Sequence, residues 1–167
     1  MILWFRSFSE MNFNALMAVY EEGNRKHGMQ HYPDASEAEQ LLYAEADFAS
    51  YLTDVFFRQK GAAYCILADG DTYICAARIE EYKDGLLLTA LETKPDCRAS
   101  GNGKILLTAL LEHCALCGNL PVYSHVDNKN VASMNLHLGC GFRILKDSAR
   151  FLDGSVSTES KTLIYEK

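Results

Sequence analysis

The stretch Arg98-Ala99-Ser100-Gly101-Asn102-Gly103 carries the sharpest chemistry in this chain. It lies between a strand-like apolar run and a helix-like one. A helix start leaves about four backbone N–H groups without intrahelical partners. Those groups and the helix dipole favour an anion. Glycines let the backbone approach a phosphate closely, and Arg98 and Lys104 add positive charge nearby. The stretch is not a Walker loop, which needs Gly-Lys followed by Ser or Thr. It is not a dinucleotide fingerprint either, because Leu106 stands where the third glycine would be. Taken alone, it reads most simply as a glycine-rich turn before a helix.

The elements around the loop give it a setting. Ile2 to Phe8 reads as a first strand. Phe13, Leu16, Met17 and Tyr20 fall at helical spacing, with Gly23 as a stop. Residues 24 to 32 read as irregular. Pro33 and Asp34 open a second helix, with Asp34 and Glu37 or Ser36 and Glu39 as a capping box; Gly61 ends it. Then the period changes to that of strands: Ala62 to Leu67, Thr72 to Tyr82 and Leu86 to Thr93. They are separated by Asp69-Gly70 and Asp84-Gly85, which are hairpin signals because such turns need positive φ. A helix from about Asn102 carries Leu106, Leu110, Cys114 and Cys117 on one side and is capped by Gly118. Pro121 to Val126 is a strand and Val131 to Leu138 a short helix. Phe142 to Leu152 and Lys161 to Glu166 form a closing hairpin around Asp153-Gly154. The order βααβββαβαββ predicts the α/β (α+β) class, with helices on both faces of a mixed sheet. No repeat or linker interrupts it, so residues 1–167 read as one domain.

In this setting the loop is no longer isolated. The run from Thr93 to Gly103, Thr-Lys-Pro-Asp-Cys-Arg-Ala-Ser-Gly-Asn-Gly, resembles the Val-x-Pro-x-x-Arg-x-x-Gly-x-Gly signature of the GNAT superfamily of N-acetyltransferases. Only the first position departs, with threonine for valine. A second signature of that family is filled by Asn130, Ser133, His137, Gly141 and Phe142. The resemblance implies a mostly antiparallel central sheet flanked by helices. It implies that acetyl-CoA binds as co-substrate, its pyrophosphate on the amides of residues 98 to 104. The strand around Glu92 and Thr93 would hold the pantetheine arm, with Asn130 and Ser133 beside it. It implies transfer of the acetyl group to a primary amine by direct attack in a ternary complex. The acceptor, a small molecule or a peptide amine, is left open, because the region before residue 62 matches only in helix placement.

Amide formation from a thioester needs a neutral amine, a donor for the oxyanion and a proton for the thiolate. The family's usual acid is a tyrosine seven residues after the asparagine, and His137 takes that place here. An imidazole can donate to a thiolate, yet near its ordinary pKa it is mostly neutral at physiological pH. A packing histidine is the equal alternative. His125 is a candidate base, against a hydrogen-bonded sheet histidine. Alternation puts it on one strand face with Tyr123 and Asp127. Glu92 is a second candidate base, acting through water, against a salt-bridged glutamate. Tyr82 and Tyr123 could line the acceptor site, and His27, His31 and Tyr32 could cover it. A non-catalytic acyl-CoA sensor on the same fold is the alternative that the missing tyrosine keeps open.

Cys114-x-x-Cys117 with His137-x-x-Cys140 imitates zinc spacing. Against a zinc-binding interaction module, the cysteine pair falls on a helix face and the second pair lies inside the acetyltransferase signature, so no metal is expected. A net charge of −6 argues against a nucleic-acid partner. No apolar run approaches the roughly 20 residues of a membrane span, and the N-terminus lacks the form of a signal peptide. A cytoplasmic protein with six reduced cysteines is expected. Family members are often dimers, and nothing in the sequence marks an interface.

Overall fold

The computed structural model describes residues 1–166. Nine strands and five α-helices are formed in the order β1 (Ile2–Phe5), α1 (Phe13–Val19), α2 (Glu21–His31), α3 (Glu37–Asp54), β2 (Ala63–Asp69), β3 (Thr72–Tyr82), β4 (Gly85–Thr93), α4 (Asn102–Leu116), β5 (Val122–Asp127), α5 (Val131–Gly139), β6 (Arg143–Lys146), β7 (Ala149–Arg150), β8 (Val156–Ser157) and β9 (Ser160–Tyr165). Seven strands make one sheet in the order β1-β2-β3-β4-β5-β9-β6. Every neighbouring pair is antiparallel except β4–β5. A parallel neighbour requires a crossover, and α4 supplies it. The mixed class and the mostly antiparallel sheet expected from the sequence are both present.

Strand alternation divides the sheet between two cores. Cys75, Ala77, Ile79, Leu88 and Val122 face α4, where Leu106, Leu107 and Leu110 bury completely. Tyr64, Ile66 and Ala76 face the other way, toward Leu16 of α1, Leu52 of α3 and Phe56 just beyond α3. Full burial of one such leucine contributes about 1.5–3 kcal/mol, so the two layers hold the sheet firmly from both sides.

Three local expectations change. Residues 24 to 32 are not irregular: α2 runs through Gly23, so three helices precede β2. Its polar sequence buries only Asn24 and Gly28. Tertiary packing overrides weak propensity here, because a Cβ on Gly28 would lie 2.4 Å from the Gln40 carbonyl oxygen of α3. In the turn after β3 the positive φ falls on Lys83, at 53°, and not on Gly85. Gly85 is required for space, since a Cβ there would meet the Pro121 carbonyl oxygen at 2.0 Å. The closing hairpin is also divided. β6 pairs with β9, while β7 and β8 form a separate ribbon around Asp153-Gly154. The polar run Lys146-Asp147-Ser148 breaks the alternation that one long strand would need. Of the two capping boxes offered for α3, Ser36 with Glu39 forms.

Candidate active site

β4 and β5 pair only from Leu86–Leu88 to Val122–Ser124. Beyond that point the strands part and leave a wedge. On its other side β4 is bulged against β3, with Ala90 at φ 48° and the register shifting between Ala76 and Arg78. A bulge leaves backbone groups of Ala90 and Leu91 outside the regular ladder. The wedge holds a cavity of about 250 Å³ between residues 88–91 and 124–127, closed at one end by Asn130, Ser133 and His137. A larger cavity of about 570 Å³ adjoins it and shares Leu91, Asn130 and Ser133. The groove therefore runs from the wedge to the glycine loop.

Thr93, Arg98, Ala99, Gly101, Asn102, Gly103, Lys104, Asn130 and Ser133 all line the larger cavity, with Glu92. Ser100 does not; its hydroxyl turns back to the Arg98 carbonyl at 3.3 Å. Left-handed backbone at Ala99 (φ 58°) and Gly101 (φ 78°) turns the chain from strand to helix, and the Asn102 amide ties the loop to the Cys97 carbonyl at 2.8 Å. Helices α1, α3 and α5 are capped by the side chains of Asn12, Ser36 and Asn130, whereas no side chain caps α2 or α4. The first N–H groups of α4 thus open onto the cavity as an anion cradle. A Cβ on Gly103 would come within 3.2 Å of Leu136, so this glycine lets α4 pack against α5.

Arg98 is not a free cation beside the cradle. Its Nε donates to the Thr93 carbonyl at 3.1 Å. Its two terminal nitrogens pair with Glu92 at 3.0 Å and with Glu22 of α2 at 2.8 Å. It clamps the loop to the end of β4 and to the helical layer. Burial pushes the Glu92 carboxyl above its ordinary pKa, and Arg98 pulls the other way.

The two candidate histidines are both tied. His137 is 2% exposed. Its Nδ1 donates to the Ser133 carbonyl at 2.8 Å, and Nε2 lies 3.0 Å from the Ser124 hydroxyl, which then acts as donor. Burial lowers its pKa, only partly offset by the Ser133 carbonyl. The ring is therefore neutral, with neither nitrogen free. His125 contacts the wedge as well, but its Nε2 donates to the Arg150 carbonyl at 3.0 Å and Nδ1 faces the Thr162 hydroxyl at 3.2 Å. Burial lowers its pKa too. Tyr82 stacks edge-on against both Tyr123 and His125 and binds the same Arg150 carbonyl at 2.8 Å. The β7–β8 ribbon is thus fastened across this face. His27 and Tyr32 are held instead by Asp47 of α3.

The cysteines do not gather with His137. Cys114 is buried against the sheet while Cys117 is exposed at the end of α4, not on its apolar face. Among the described residues no three His, Cys, Asp or Glu side chains converge as metal ligands would. Sequence reasoning missed Glu22, Ser124, Arg78 and Glu80.

Comparison with known sequences gives the family. Residues 16–142 match the family model described as the acetyltransferase (GNAT) family. The chain belongs to the GNAT acetyltransferase family. The PaiA N-acetyltransferase of Thermoplasma acidophilum, solved in complex with coenzyme A, superposes with a TM-score of 0.67 at 15% identity, covering 100% of this chain and 99% of that one. The ribosomal-protein-S18-alanine N-acetyltransferase of Escherichia coli gives 0.62 at 17% identity, covering 98% and 92%. Aminoglycoside 6'-acetyltransferase type Ii gives 0.63 at 16% identity, covering 99% and 96%. At these identities the likeness is one of fold. No curated protein sequence matches the chain. No helix among the described residues is long and apolar enough to cross a membrane.

Proposed function

We propose that this GNAT protein moves the acetyl group of acetyl-CoA onto a primary amine in a ternary complex. The observation that carries the reading is the continuous groove. It begins at the uncapped start of α4, where a pyrophosphate can sit on backbone N–H groups, and ends in the wedge beside the β4 bulge. That length and polarity suit a phosphate-headed carrier with a long arm. The coenzyme A complex of the Thermoplasma relative supports the same ligand.

The amine nitrogen attacks the thioester carbon, the C–S bond breaks, the sulfur leaves as thiolate and the nitrogen loses a proton. Holding both partners in the wedge supplies much of the acceleration. Backbone N–H groups at the bulge, around Ala90 and Leu91, would donate to the oxyanion. Of the three candidates, Glu92 suits the base: it lines the groove, and burial raises its pKa against the pull of Arg98. His125 and His137 serve position instead. A neutral His137 whose Nδ1 proton is held by Ser133 lacks a proton to give. His137 fixes Ser124 across the wedge and keeps α5 against β5.

The same closed His137 favours a second reading, a domain that binds acyl-CoA without consuming it. Thiol release from acetyl-CoA across an amine panel separates the two. Amine-dependent release is expected of the transferase, and saturable binding with no release under any amine would establish the sensor.

A further inference from the structure

One row of side chains beside the wedge holds polar groups that the fold does not satisfy. Arg78 lies in β3 between Ala77 and Ile79, which face α4, so its side chain takes the opposite face. Its guanidinium carbon sits over the rings of Phe48, Tyr51 and Phe56, at 5.9, 5.0 and 5.3 Å from their centroids. Ring faces attract the cation but leave its in-plane N–H bonds unmade. Nε and Nη1 are both shut off from solvent and have no hydrogen-bond partner among the described residues. In register with Arg78 stand Tyr64 on β2 and Thr89 on β4. The Tyr64 hydroxyl and the Thr89 hydroxyl are buried without partners as well. Two residues along β3, on the same face, Glu80 is 3% exposed and its Oε2 is also unpartnered.

Buried polar atoms in folded proteins are nearly always bonded. Five exceptions on four neighbouring side chains, two of them charged, weaken the free protein, so their retention calls for a ligand that completes them. The row also leads somewhere. Thr89 lines the wedge cavity together with Ala90 and His125, where acceptor and thioester meet.

We infer that Arg78 selects the acceptor by pairing with a carboxylate on the same molecule as the reacting amine, so that the substrate is a small amino acid rather than a plain alkylamine. This inference rests on the transferase reading above. A guanidinium laid over ring faces presents its edge, and two coplanar N–H groups on an edge match the two oxygens of a carboxylate. One strand spacing, about 4.8 Å, separates Arg78's strand from the wedge strand. That span suits an amine and a carboxylate a few bonds apart.

The test begins with acetyl-CoA binding to the purified chain. Thiol release is then measured with matched pairs: tyrosine and tyramine, histidine and histamine, lysine and cadaverine. At least one acid is expected to exceed its decarboxylated partner by roughly tenfold or more in kcat/KM. Arg78→Met should erase that advantage through KM, with acetyl-CoA affinity unchanged, and Arg78→Lys should keep part of it. Without acceptor, Arg78→Met should cost only modest stability, because it gives up the ring contacts and the charge facing Glu80 but no hydrogen bond. Equal turnover within every pair, an unchanged preference in Arg78→Met, or a large loss of stability in that variant overturns the assignment and leaves the transferase reading intact. Acetyl-CoA binding with no thiol released by any amine overturns the transferase reading itself.

Discussion

Two arginines beside the wedge strand, one past its end and one opposite its middle, are treated in opposite ways. Arg98, at the glycine loop, is matched by two carboxylates and a carbonyl. Its charge is spent on structure, and the attraction for an anion comes from backbone N–H groups at the start of α4. Arg78, two strands from β5, is enclosed by aromatic rings with two nitrogens unbonded. Its charge is held in reserve. On the proposed reading, the donor end is built from backbone and would be the same whichever amine is used, while the acceptor end is built from side chains.

The sharpest way to break the comparison is at the backbone end. Gly101→Glu puts a carboxylate into the cradle and a side chain at φ 78°, with nothing within 4 Å of its Cβ to clash. Acetyl-CoA affinity should fall by roughly a thousandfold, since several N–H bonds to phosphate and their charge attraction are lost together. Stability should drop by only about 1–2 kcal/mol from backbone strain. Calorimetry and thermal unfolding on the same sample check both.

Glu92→Gln comes next. A fall of roughly 100-fold in kcat is expected for a lost base, with acetyl-CoA affinity nearly kept. In the parent, kcat/KM should rise with pH through a carboxyl pKa above the ordinary glutamate value. In Glu92→Gln that limb should vanish. A retained limb would move the base elsewhere.

His137 tests whether a tied histidine is structural. Its pKa is lowered on folding by burial, so the unfolded chain binds the proton more readily. Its contribution to stability is therefore complete above about pH 6.5 and is lost as the pH falls below that value. His125 acts in the same direction. His137→Gln should lower stability by about 1–3 kcal/mol at pH 8, through the unpaired Ser124 hydroxyl, and should flatten the acid limb in denaturant titrations from pH 8 to 5. An unchanged acid limb would mean that the ring is not held neutral.

What the sequence revealed follows the same division. The loop from Thr93 to Gly103 was legible because backbone binding demands glycines at fixed local spacing. The sheet was legible because its strands alternate and its turns are short. The surroundings of Arg78 were not, because they come from Tyr64 and Thr89, which lie 14 and 11 positions away in sequence and come into register across the sheet. His137 could be matched to a family position, but whether its nitrogens are free depends on Ser124 in another element. Helix α2 escaped notice because Gly28 is explained only by Gln40 of α3.

The smallest effect calibrates the rest. Ser36→Ala removes the capping box of α3, far from the groove, and should cost about 1 kcal/mol in chemical denaturation without altering acetyl-CoA affinity.

The central claim, that the α4 cradle and the β4–β5 wedge form one acyl-donor groove, is tested most directly by calorimetric titration of the chain with acetyl-CoA, with dephospho-CoA and free CoA for comparison. Saturable binding near one site per chain, abolished in Gly101→Glu, is the expected result. No heat of binding at about millimolar acetyl-CoA, a Kd regime of only about −4 kcal/mol, would contradict it.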